Sequence, residues 1–240
     1  MPVIWTDKPE FYAAFISREI EKTGVRFMSV TDVPEYPDVQ ESLENNRKIA
    51  AEYLKRPDIG LCMGKQVHGA RVAYARNPGV IEETDGLVTD KPGLAIGVLV
   101  ADCAAVLLAD PVNKIIAAVH AGWRGAIQGI IPEAVRQMEK IGAEPDLMHA
   151  YISPCISKQS FEVGDEVAAQ FPERYVDRSR EKPHVDLQGY ILQELEKAGV
   201  SRETVIREDK CTLTHPDTLH SFRRDGAESG RMMAVIYLSD

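Results

Sequence analysis

Between Leu94 and Val119 the chain reads LAIGVLVADCAAVLLADPVNKIIAAV, and this stretch constrains the fold more than any other. Leu94 to Ala101 is a continuous β-prone apolar run, which predicts a strand covered on both faces. Extended character continues from Ala105 to Ala109 and stops at Asp110-Pro111, a turn signal. Lys114 to Val119 is the next strand. About four residues join the last two runs, a length that suits an antiparallel hairpin.

Around this centre the pattern is mixed. Helices are predicted over Glu10 to Lys22, where Phe11, Phe15 and Ile20 fall at helical spacing, and over Ser42 to Leu54. Asp32 to Asp38, with Pro34 and Pro37, reads as a loop. A helix follows Gly125 and ends at Gly142, with Pro132 either kinking it or marking its true first turn. A strand around Met148 to Ile152 precedes helices over Asp165 to Phe171 and Asp186 to Ala198, the latter closed by Gly199. Met232 to Leu238 is a final strand. A hairpin centre flanked by helices predicts an α+β or mixed-sheet layered fold. At 240 residues, one domain over 1–240 is expected.

Charge and cysteine usage narrow the function. With 28 basic and 37 acidic side chains the net charge is −9, which disfavours nucleic acid and membranes as partners. The densest basic pair, Arg223-Arg224, sits among Asp225 and Glu228. Cysteines 62, 103, 155 and 211 form no C-x-x-C pair, and the segment MPVIWTDKPEFYAAF lacks a basic start and an apolar run. A cytoplasmic location with reduced thiols is therefore expected.

Three residues stand out against apolar surroundings. His68 lies in KQVHGARV, Cys103 where the buried strand ends, and His120 in AAVHAGWRG, again at a strand end. Two imidazoles and a thiolate are the ligand set of a zinc site with one open position. Each also has an ordinary reading, as a hydrogen-bonded histidine or a packed cysteine, and spacing alone does not bring the three together. Asp102 adjoins Cys103 and faces away from it if the strand persists. Arg124 sits between Gly122 and Gly125 at a helix start, which suits an anion or a structural salt bridge. Gln66 shares a strand face with His68 in this reading. Cys155 reads as packed, His184, His215 and His220 as surface residues, and RRDG at Arg223 to Gly226 as a tight turn.

The segments KQVHGARV, DGLVTDKPGLAIGVLVADCAAVLLADP, AAVHAGWRGAIQGI, ISPCISKQSFEVGDEVAAQF, HVDLQGYILQELEKAGV and SFRRDG follow one another as in one family. Over roughly residues 42 to 238 the chain resembles the multicopper polyphenol oxidase (laccase) family, now understood as zinc-dependent purine nucleoside phosphorylases and adenosine deaminases. The resemblance implies a three-layer α/β/α fold with mixed sheet. It implies a metal, zinc with copper as the other candidate, on His68, Cys103 and His120, and purine nucleoside and phosphate as small-molecule partners. The chain departs from the family in lacking a SLNLG-like motif before the helix. It also reads CTLTHP after Cys211 where a CTYC-like pattern is frequent.

Under this reading Arg124 would hold phosphate attacking ribose C1′, with Asp102 a candidate acid. Gln66 and Glu162 would contact substrate, Glu162 being also a candidate acid. Three other readings stay open: a copper-dependent phenol oxidase; a metal-free cysteine hydrolase acting on an amide such as a peptidoglycan precursor; and a non-catalytic nucleotide-binding module.

Overall fold

The structure, a computed structural model, describes residues 11–30 and 38–239. Its strands, numbered along the chain, form two stacked mixed sheets. The first holds β1 (Phe11–Ile16), β2 (Gly60–Gly64), β4 (Gly79–Ile81), β6 (Leu94–Val100) and β13 (Met232–Leu238), in the order β1-β13-β6-β2-β4. The second holds β3 (Val72–Tyr74), β5 (Gly86–Thr89), β7 (Ala104–Asp110), β8 (Ile115–Ala121), β9 (His149–Ile152) and β12 (Val205–Arg207), in the order β12-β9-β7-β8-β5-β3. A ribbon of β10 (Val176–Asp177) and β11 (His184–Val185) lies apart.

Helix α1 (Val39–Leu54) covers the outer face of the first sheet. The outer face of the second is covered by α3 (Ile130–Lys140) and α5 (Leu187–Lys197). Shorter helices are α2 (Trp123–Ile127), α4 (Asp165–Ala168) and α6 (Phe222–Asp225). Helices thus flank sheet on both sides, as the α/β/α expectation requires, and the β layer between them is double.

That doubling explains the unbroken apolar runs. In β6, Leu94, Ile96, Val98 and Val100 face the second sheet while Ala95 and Leu99 face α1. In β7, Ala105, Leu107 and Ala109 face the first sheet while Val106 and Leu108 meet the α3 and α5 layer. Alternate side chains enter different cores, and neither set meets water. The expected hairpin forms, with β7 and β8 antiparallel and Leu107 opposite Ala118.

The helix expected over Glu10 to Lys22 is overturned. Glu10 lies outside the described residues, Phe11–Ile16 is a strand paired antiparallel with β13, and Arg18–Thr23 is a 3-10 turn. FYAAFI is apolar on both faces: Phe11, Ala13 and Phe15 fill the space between the sheets, and Ala14 and Ile16 face α1. Phe11 and Phe15 also satisfy a four-residue spacing, so periodicity misleads here. Of the loop expected over Asp32 to Asp38, all but Asp38 lies outside the described residues; Asp38 caps α1, its side chain accepting from the Gln40 N–H. Pro132 sits in the first turn of α3, not at a kink. The chain before α1 is tied down by buried Asn46, which accepts from the Met28 N–H at 2.9 Å and donates to the Met28 carbonyl at 2.7 Å. Among the described residues no helix is long and apolar enough to cross a membrane.

The inter-sheet layer should dominate stability. Leu107→Ala, at a fully buried position, is expected to lose about 2–5 kcal/mol in denaturant unfolding. A loss below about 1 kcal/mol would mean the layer collapses around the gap.

Candidate metal centre

Three connections carry the chain from the first sheet to the second: residues 65–71, 82–85 and 101–103. Each contains a non-glycine residue in the left-handed region, His68 at φ +60°, Glu83 at +48° and Asp102 at +83°. That conformation is uncommon for side-chain-bearing residues and turns the backbone sharply. The three connections meet the C-terminal end of β8, and there His68, Cys103 and His120 converge. Their ligand atoms all lie within 4.8 Å of one another, close enough to share a metal ion. The His68 and His120 rings stand edge to face with centroids 4.8 Å apart.

The residue that organises the cluster is Asp85, 1% exposed. Its Oδ1 accepts from the His68 N–H at 2.9 Å, and its Oδ2 accepts from the N–H groups of Val67 at 3.1 Å and Gly69 at 2.9 Å. Oδ1 also meets His120 Nδ1 at 2.8 Å. One carboxylate therefore shapes the loop bearing one imidazole and orients the other, leaving His120 Nε2 for the cluster. A carboxylate behind a ligating histidine fixes its tautomer and raises its basicity. Burial pushes Asp85 up, and the His120 and backbone N–H groups outweigh it and hold the carboxyl below its ordinary range.

Electrostatics prepare the thiol. Burial raises the Cys103 pKa, but the charges and hydrogen bonds of His120 and His68 prevail and bring it to about 6. Burial lowers that of His120, and Cys103 and Asp85 together raise it to about 9. A thiolate facing an imidazolium results. Gly122 leaves the room: a Cβ there would stand 2.9 Å from Cys103 Sγ and 3.4 Å from His68 Cδ2. Gly125 lets α2 reach the His68 loop, since a Cβ would come 2.5 Å from the Gly69 carbonyl oxygen. These donors, with space kept open beside them, suit zinc or another thiolate- and imidazole-binding ion.

The cluster lies in a cavity of about 470 Å³, a size typical of small-molecule sites. Gln66, Asp102 and Arg124 line it; Glu162 does not. Strand β2 ends at Gly64, so Gln66 is not on a shared strand face with His68. Its amide instead bridges the backbone of Leu99, accepting from the N–H and donating to the carbonyl, both at 2.9 Å. Nor does the strand persist to Asp102, since β6 ends at Val100. Asp102 accepts from the Thr212 hydroxyl and from the Arg223 N–H, each at 2.6 Å, and so ties two distant segments to the site. Arg124 is exposed and lies over Trp123, 4.4 Å from the ring centroid. The Glu162 carboxylate pairs with Lys182 at 2.8 Å.

Other sequence expectations shift. His184 and His220 are buried, not at the surface, His220 facing Glu21 at 3.0 Å; His215 is exposed. Cys155 is packed in the core and, like the other cysteines, is a free thiol. Sequence reasoning missed Asp85, whose signal was a carboxylate placed directly before the apolar Gly86–Thr89 strand. It also missed Arg231 and Phe222, which join Arg124 and Arg223 at the cavity. A basic rim, invisible along the sequence, is thus gathered in an acidic protein.

The sequence pattern of the family described as multi-copper polyphenol oxidoreductase laccase matches residues 13–239. A purine nucleoside phosphorylase of Deinococcus radiodurans is 42% identical over 177 residues, covering 72% of this chain and 68% of that protein. Adenosine deaminase RL5, from an unknown prokaryotic organism, is 33% identical over 195 residues, covering 74% of each. The crystal structure of Bacillus licheniformis hypothetical protein YfiH superposes with a TM-score of 0.82 at 26% identity, covering 97% of this chain and 98% of that one.

Two measurements test the electrostatic design. Asp85→Asn should weaken zinc binding by about 10- to 100-fold in competition with a chromophoric chelator; an unchanged affinity would remove Asp85 from the centre. In metal-free protein, alkylation of Cys103 should rise with pH through about 6, because the thiolate is the nucleophile. A midpoint near the ordinary thiol value of about 8.5 would refute the thiolate–imidazolium pair.

Proposed function

The chain belongs to the multi-copper polyphenol oxidoreductase laccase family, and from that membership we propose that it is a zinc-dependent purine nucleoside enzyme. Its reactions are phosphorolysis of adenosine, inosine and S-methyl-5′-thioadenosine, and deamination of adenosine. The observation that carries this reading is the convergence of His68, Cys103 and His120 in a cavity large enough for a nucleoside. Relatives named purine nucleoside phosphorylase and adenosine deaminase support the substrate class.

His68, Cys103 and His120 are the proposed ligands. Zinc held by these two imidazoles and the thiolate would supply Lewis-acid polarisation of a substrate oxygen or water. The protein's own residues divide the remaining work. Asp85 keeps the His120 ring aimed by engaging Nδ1, which leaves Nε2 for the ion. Cys103, deprotonated at neutral pH, needs no base to free its sulfur. Arg124, whose guanidinium lies exposed at the cavity, is the proposed holder of phosphate, and a charge-assisted contact there favours the anion. Asp102, with both oxygens engaged, acts in this proposal by holding the cavity wall. Gln66 positions the Leu99 backbone beside the substrate.

A second reading has its own observation. Cys103, His120 and Asp85 form a series of nucleophile, base and orienting carboxylate, which is the arrangement of a thiol hydrolase. A cytoplasmic location accompanies either reading.

Metal analysis by mass spectrometry, with assays on the three nucleosides with and without phosphate, separates the alternatives. Zinc in the purified protein, phosphate-dependent base release, and loss of both in Cys103→Ala are expected. Turnover that survives exhaustive chelation would favour the hydrolase, and copper with phenol oxidation would favour an oxidase.

A further inference from the structure

Three aromatic rings line the cavity, and each is accompanied by an arginine. Arg124 lies 4.4 Å from the Trp123 ring, Arg223 5.9 Å from Phe161, and Arg231 6.0 Å from Phe222. The rings are not equivalent. Trp123 already has a guanidinium close over it, and Phe161, 7% exposed, belongs to the core under α5. Phe222 is 53% exposed, and its arginine stands at the outer limit of a cation–π contact. It is the most exposed ring of the three.

Phe222 is also held in place. It begins α6, a four-residue helix with no buried residue that could be staying put for the sake of a core. The residues on either side of it in the chain are held by polar contacts. Ser221, fully buried, accepts from the Arg224 N–H at 3.2 Å. Asp102, beside Cys103, accepts from the N–H of Arg223 at 2.6 Å. Arg224 donates to the carbonyls of Thr212 at 2.9 Å and Leu219 at 3.0 Å. A solitary exposed aromatic is unremarkable; one whose chain neighbour Arg223 is anchored to Asp102, the residue before Cys103, is pre-organised for a ligand.

Resting on the nucleoside reading above, we propose that Phe222 is the stacking platform for the purine base and supplies affinity for it, while the arginines serve the anionic co-substrate. Purines present flat π-faces, and an aromatic side chain supports them in offset stacking without selecting among hydrogen-bonding patterns. This role accommodates both adenine and hypoxanthine nucleosides. It also assigns Asp102 a task that needs no proton transfer: through the Arg223 N–H it sets the distance between platform and metal centre.

The test uses the full-length zinc-loaded protein and the variants Phe222→Ala, Phe222→Leu and Phe222→Trp. Steady-state phosphorolysis of inosine and adenosine gives KM for nucleoside and, separately, for phosphate; competitive inhibition by free hypoxanthine reports the base alone. Loss of one stacking partner should raise nucleoside KM and the hypoxanthine inhibition constant on the order of tenfold in Phe222→Ala. Phe222→Leu, which keeps apolar bulk without a π-face, should behave like alanine, and Phe222→Trp should stay near wild type. Phosphate KM and zinc content should hold within about twofold in all three. An active wild type with Phe222→Ala unchanged overturns this inference alone, as does Phe222→Leu matching wild type or a parallel rise in phosphate KM. A wild type that neither turns over nor binds adenosine in calorimetry overturns the nucleoside reading, and this inference with it.

Discussion

The carboxylate of Asp85 is the contact on which the site depends. Buried and negative, it would be costly without partners, and its partners are the parts of the site that must be aligned. Three consecutive N–H groups of the Val67–Gly69 loop and the His120 ring converge on its two oxygens. Desolvation makes these contacts strong, and the charge that stabilises the loop also raises the proton affinity of His120. Structure and electrostatics are here one arrangement: moving the carboxylate would release a loop and change a titration together.

The site occurs where the chain changes sheets. A strand that ends within its own sheet can continue into a hairpin; one that must reach the sheet stacked on it needs an abrupt turn. The left-handed conformations of His68, Glu83 and Asp102 provide it, at a local cost of order 1–2 kcal/mol each. Hydrogen bonding offsets that strain: the Asp85 network for the first connection, and Thr212, Arg223 and Ile156 on Asp102 for the third. Gly122 then completes the enclosure by leaving out a side chain where Cys103 and His68 approach.

What the sequence disclosed follows this physics. Strands β6 to β8 were legible because their apolar runs are long and bounded by Asp110-Pro111, and α5 because its face and caps agree. Strand β1 was not, since FYAAFI is buried on both sides and fits either period. His68, Cys103 and His120 could be picked out singly as polar residues at strand ends, but their meeting depends on which sheet each connection enters. Only the family resemblance joined them beforehand. Asp85 lies 35 residues from His120, and nothing local distinguishes its carboxylate from a turn aspartate. Gln66 and Asp102 were found as pocket residues, yet their bonds run to Leu99, Thr212 and Arg223, which no spacing rule connects.

The double sheet also turns the hydrophobic interior into a spacer. His68 and Cys103 ride on links that leave the first sheet, while His120 stands at the end of a strand in the second. The separation of the sheets, set by side chains such as Ile96, Leu107 and Ile236, therefore becomes a dimension of the ligand triangle. Substitutions that thicken or thin that layer would retune an ion's coordination from a distance, without touching any group that contacts it.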